Sequence, residues 1–167
     1  MKGIRIGAFA LVVLAVGFAI AGCGSSKTHG EEGTVTLTEP GGNSGSFGVI
    51  GKASENNVQP GNGFAFSSPL EDSAGKSVGE LNAFCLATQP SPGEALGGTC
   101  SGTATVPGGG FALNAGGKEV LGGNVSGSIV GGTGKYAGAV GTFSSKEEGG
   151  GGGEEGPATL TFDYTLP

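Results

Sequence analysis

The chain has 167 residues, room for one domain, and a formal net charge of −6. Its eight basic residues include a single arginine, Arg5, and phosphate binding needs clustered Lys and Arg, so nucleic acid is excluded as a main partner. Thirty-nine glycines and eight prolines with no fixed period approach a low-complexity composition. Charge is nevertheless low and the apolar residues stand in short alternating runs, a pattern that favours a folded domain with a thin core over disorder.

Residues 1–22 form the first element. Lys2 and Arg5 precede an uncharged apolar run, Ile6 to Ile20, and the small residues Ala21 and Gly22 follow it, the layout of a secretory signal. The run is about 15 residues, short of the roughly 20 that a spanning helix needs. Ile20-Ala21-Gly22-Cys23 resembles the lipobox of bacterial lipoproteins. The resemblance implies cleavage before Cys23 and acylation of its thiol, and two acyl chains, at about 0.8 kcal/mol per buried methylene, hold a protein on a bilayer. The expected location is the extracytoplasmic face of a membrane, reached through this lipid anchor. Without Lys2 and Arg5 the formal charge becomes −8.

Residues 23–33 read as the lipidated cysteine and a polar, flexible tether containing the only histidine, His29. The domain proper spans 34–167. Thr34–Thr38 alternates Val35 and Leu37 with threonines, as a half-buried strand does. A second strand is expected through Phe47, Val49 and Ile50, and Phe64 and Phe66 share a face after the turn residues Pro60 to Gly63. Val78–Thr88 and Thr99–Val106 read as antiparallel partners that carry Cys85 and Cys100. Outside the cytoplasm these two would most simply form a disulfide, worth roughly 3 kcal/mol for a loop of about 15 residues; the alternative is two free buried thiols. Further strands are expected at Phe111–Leu113, Val125–Val130, Ala137–Phe143 and Thr159–Leu166, the last with Leu160, Phe162, Tyr164 and Leu166 on one face. Between the last two, 146–157 is a Gly/Glu-rich segment read as a flexible hairpin loop. Many short strands with Gly and Pro turns imply an all-β sandwich or barrel.

Motifs for chemistry are mostly missing. Gly75-Lys76-Ser77 lacks the upstream glycine of a phosphate loop, since Leu70 occupies that position. Gly132 to Ala137 matches a dinucleotide fingerprint by count but has no following helix. No nucleophile elbow, C-x-x-C pair or second histidine exists, so no metal site and no cofactor are expected. General acid–base chemistry would fall to Glu80, Asp163 or Tyr164, each more simply read as a solvated or packing residue.

The segment Ile129 to Thr142, with Gly131-Gly132-Thr133-Gly134-Lys135-Tyr136-Ala137-Gly138, resembles the closing signature of the allene oxide cyclase and dirigent superfamily. There a strand ends in a Gly-Gly-Thr-Gly turn, an aromatic follows, and small residues lead back into the barrel. Gly63 to Gly79, Phe84-Cys85-Leu86 and Phe162 to Leu166 are similar to the same family, and the match spans about residues 45–166. The resemblance implies a closed antiparallel barrel of about eight strands, found in the family as dimers or trimers. It also implies an interior that is filled or holds one small apolar ligand. Phe64, Phe66, Phe84, Phe111, Phe162 and Tyr164 are expected to line or fill that interior. The family's cyclases act on a fatty-acid epoxide and its dirigent proteins steer phenoxy-radical coupling. Dirigent proteins usually have arginine where this chain has Val140, and the cyclase first-strand glutamate and asparagine have no secure counterpart near Thr34–Glu39. Fold transfers from such a likeness before activity does. The expected function is therefore small-ligand binding or a structural envelope role, with an isomerase or cyclase on a lipid-derived or phenolic substrate as the alternative.

Overall fold

The computed structural model describes residues 30–41, 45–52, 59–89, 97–117, 124–148 and 156–167. Cys23, His29 and the leader lie outside the described residues. Nine strands follow one another: β1 Glu32–Glu39, β2 Ser46–Ile50, β3 Gly63–Glu71, β4 Ser77–Ala87, β5 Gly98–Val106, β6 Gly109–Gly117, β7 Asn124–Gly134, β8 Val140–Glu147 and β9 Ala158–Thr165. Each pairs antiparallel with its sheet neighbours in the order β1-β9-β8-β7-β6-β5-β4-β3-β2, and a further β1–β3 pairing closes the sheet into a barrel. Closure removes the open edges that a flat sheet of this length would expose.

Nine strands occupy eight positions. β1 meets β3 at Thr38↔Glu71, and β2 continues in the same direction along β3 from Ser46↔Ser67 to Ile50↔Gly63. Thus β1 and β2 are two parts of one interrupted stave. Pro69 lies on β3 between those two registers, opposite the break. A residue with no backbone donor is tolerated in a sheet at such gaps and edges.

The expected strands are recovered with shifts at three places. Gly131–Gly134 does not turn: it extends β7 and pairs with β6 down to Gly109↔Gly134, helped by a bulge that skips Val130. The turn is instead Lys135–Gly138, where Gly138 takes φ +79°, so Ala137 and Gly138 precede β8 and do not belong to it. Lys146 and Glu147, expected in the hairpin loop, complete β8, and the Glu148 N–H bonds to the Pro157 carbonyl across its base.

Alternation sets what faces inward. One core cluster joins Leu37, Leu70, Leu81, Ala104, Val106, Phe111, Leu113, Ile129, Tyr136, Ala139, Leu160 and Phe162, all buried; a second joins Phe64, Cys85, Ala87, Cys100 and Ala115. The first lies toward the end where the tight turns at Asp72–Lys76, Pro107–Gly108 and Lys135–Ala139 cluster, together with the start of β1 and the end of β9. The longer connections 51–62, 88–97, 118–123 and 148–157 gather at the other end.

Candidate functional site

The turn-rich end is sealed by aromatic rings. Tyr136, only 2% exposed, folds in from the β7–β8 turn and packs on Phe111 at 4.4 Å between centroids; Phe111 stacks on Phe162 at 5.3 Å, and Tyr164 meets Tyr136 edge-on at 5.2 Å. The Tyr136 hydroxyl donates to the Pro107 carbonyl at 3.4 Å. Lys135 Nζ lies 4.8 Å from the centre of the same ring, and its hydrogen bond to Tyr136 raises its pKa. Inward glycines make room for this filling. A side chain at Gly127 would strike the Phe143 ring, and one at Gly33 the Tyr164 hydroxyl.

The opposite end is not sealed. Phe47 pairs with Phe66, Val49 with Phe64, and Phe64 with Cys85, so all five point to the interior face of the sheet. Phe47 confirms this by packing its ring 5.0 Å from that of Phe64. Yet Phe47 is 67% exposed and Val49 53% exposed. The inner wall is thus open to solvent along β2. Beyond it the inward positions run Phe64, Cys85, Cys100, Ala115 and Val125, and the Cys85–Cys100 disulfide links directly opposed residues of β4 and β5. Three polar side chains share this face. Glu39 ends β1 opposite Ala158, Glu147 ends β8 opposite the same Ala158, and Ser145 pairs with Leu160. The Glu147 carboxylate accepts the Gly156 N–H at 2.9 Å.

The three acid–base candidates do not converge. Glu80 stands on the outer wall and accepts a hydrogen bond from the Ser67 hydroxyl. Asp163, also outside, accepts from the Thr34 hydroxyl at 2.6 Å. Tyr164 faces inward but belongs to the sealed end, 5.5 Å from Phe111. Two shallow grooves of about 390 and 400 Å³ lie beside these residues on the outer wall, lined by small and hydroxyl side chains with Glu80 and with Asp163 respectively. Among the described residues, no three His, Cys, Asp or Glu side chains are grouped to hold a metal ion.

Of the expected interior aromatics, Phe64, Phe111 and Phe162 are buried, while Phe66 and Tyr164 are half-buried against the core. Phe84 is a correction: it is 45% exposed and outward-facing. Its neighbour Cys85 points in, and adjacent residues of a strand face opposite ways, so the two cannot both be interior. Of the turn motif, Tyr136 is a core residue and Gly131 to Gly134 belong to a strand. Sequence reasoning does not single out Phe47, Val49, Glu39 and Glu147 as site residues. A signal exists for Phe47 and Val49, which alternate with Ser46 and Gly48, but only closure of the barrel shows that nothing in the described residues covers them.

No protein-family model matches the chain, and no curated protein does. Solved structures do. A pyocyanin demethylase shares 23% identity over 77% of this chain and 98% of its own, with a TM-score of 0.58. A pterocarpan synthase dirigent protein shares 18% over 81% and 84%, with a TM-score of 0.59. The Diels–Alderase AbmU from Streptomyces koyangensis shares 18% over 83% and 71%, with a TM-score of 0.57. Identities this low speak for fold alone, and with the strand order above they agree: the chain folds as a closed, eight-position antiparallel β-barrel of the dirigent and allene oxide cyclase kind.

Proposed function

We propose that this protein is a lipid-anchored, extracytoplasmic binding protein whose barrel takes a small apolar molecule at its open end. One observation carries the binding reading. Phe47 and Val49 belong to the inward-facing set and are still more than half exposed, so an apolar inner wall meets water. Burying such a wall under a ligand is favourable at about 25 cal/mol per Å² of apolar surface. The likeness to folds that serve a demethylase, a pterocarpan synthase and a Diels–Alderase supports a small-molecule role. An isomerase reading lacks a convergent group among Glu80, Asp163 and Tyr164, so binding stands ahead of it.

The anchor fits this arrangement. The chain enters β1 at the sealed end. From Cys23 a tether of a few residues, at no more than about 3.3–3.6 Å each, keeps that end within some 30 Å of the bilayer. The open end then faces away from the membrane, toward molecules arriving from outside.

Two measurements on the full chain, made in an exporting host, test the reading. The intact mass should show loss of residues 1–22 and acyl groups on Cys23, and Cys23→Ser should remain unacylated; an unmodified full-length mass overturns the anchor. Nile red, a neutral apolar dye, should brighten on binding, and Phe47→Ser should weaken it about tenfold while Val140→Ser, an equally exposed residue of the outer wall, leaves it unchanged. No brightening, or equal binding by Phe47→Ser, overturns the binding site.

A further inference from the structure

We infer that the open end selects small apolar molecules carrying a cationic group. This rests on the binding reading above and specifies its ligand. Glu39 and Glu147 are the terminal residues of β1 and β8, they are half-buried, and both flank Ala158 of β9 on the interior face. Two carboxylates separated by one strand stand roughly 10 Å apart at the backbone, twice the spacing of neighbouring strands. That separation brackets a ligand head group and is too wide for the two acids to share one proton. Between them, Ala158 contributes no polar group.

The described lysines are placed elsewhere. Lys146 alternates outward between Ser145 and Glu147, Lys52 is exposed in the turn after β2, and Lys76 and Lys135 sit at the sealed end. The inner wall therefore offers an apolar surface of Phe47, Val49, Phe64 and the disulfide, with negative charge along one side of the opening. Low-dielectric walls strengthen such a charge compared with the same carboxylates on a free surface. A molecule with an apolar body and an ammonium or other cationic head matches both parts at once, whereas an anion of the same size meets repulsion. Glu147 has one carboxylate oxygen committed to the Gly156 N–H, which orients the group without neutralising it.

The test uses three probes of one ring system: naphthylmethylammonium, methylnaphthalene and naphthalene sulfonate. The chain has no tryptophan, so naphthalene fluorescence is read without interference from indole. The wild-type protein should bind the ammonium about tenfold more tightly than methylnaphthalene, a factor that corresponds to about 1.4 kcal/mol, and the sulfonate least. Glu39→Gln with Glu147→Gln should bring the three probes within about twofold of one another, with methylnaphthalene binding as before. Glutamine keeps the acceptor for Gly156, and Glu80→Gln on the outer wall should leave the order intact. If methylnaphthalene and the ammonium bind equally to the wild type, or the preference survives the double substitution, the charge selection is overturned while the binding site stands. If none of the probes binds, the binding reading itself falls.

Discussion

The two ends of the barrel are built from the same alternating strands but fill their inward positions differently. At the sealed end the inward set is Leu70, Leu81, Val106, Phe111 and Phe162, and the β7–β8 turn adds Tyr136 from above. At the open end the set is Phe64, two cysteines and alanines, with Phe47 and Val49 left in water. The difference follows from the turns. Short connections, such as the two residues Pro107 and Gly108, bring the strands together at one end tightly enough for a folded-in aromatic to cap them. At the other end β2 runs past the β1–β9 ladder and pairs with β3 alone, so its inward residues have no wall opposite them on the β9 side. One end is a core, and the other is a surface made of core residues.

This contrast can be broken most decisively by exchanging large for small. Phe162→Ala at the sealed end should cost about 3–5 kcal/mol, read as a lower urea midpoint at unchanged slope, because a fully buried ring leaves a cavity that the closed wall cannot collapse. Phe47→Ala should change stability by no more than about 0.5 kcal/mol, as surface substitutions do. Equal losses would mean that the open end is packed as a core after all. Next in size is the disulfide. Reducing Cys85–Cys100, or replacing both with serine, should lower stability by roughly 3 kcal/mol for its separation of 15 residues, measured by urea titration of both forms. It staples the end with the thinner core, so native-state hydrogen exchange should show β4 and β5 losing protection near Ala87 and Gly98 before the Phe111 region does. The smallest effect sharpens the comparison through glycine. Gly127→Ala places a methyl group against the Phe143 ring and should cost about 1–3 kcal/mol by overpacking, whereas at Gly48 the only neighbour is the Ala65 carbonyl at 3.9 Å and alanine should be neutral.

Much of the frame is legible in the residues alone. Thr159–Leu166 lies within one residue of β9 because four apolar residues alternate with four polar ones, and a period of two admits one conformation. Cys85 and Cys100 pair because the strands that carry them are joined by a single connection. Sequence reasoning fails where a likeness overrides a local rule. Placing Phe84 inside with Cys85 contradicts the alternation of the strand, and taking Gly131–Gly134 as a turn follows only from the frequency of glycine in turns. In the barrel those glycines instead let β6 and β7 approach near the Tyr136 turn, where a side chain at Gly132 would collide with the Tyr136 carbonyl.

Sequence by itself determined the all-β class, the faces of most strands and the cysteine pair, since each depends on neighbours a few residues apart along the chain. Tertiary structure decided that Tyr136 is a core residue, that β1 and β2 form one interrupted stave, that Glu39 and Glu147 flank one residue, and that Phe47 and Val49 stay wet. These depend on which strands meet after closure of the sheet, contacts between residues as distant in the chain as Glu39 and Ala158, and local periodicity carries no record of them.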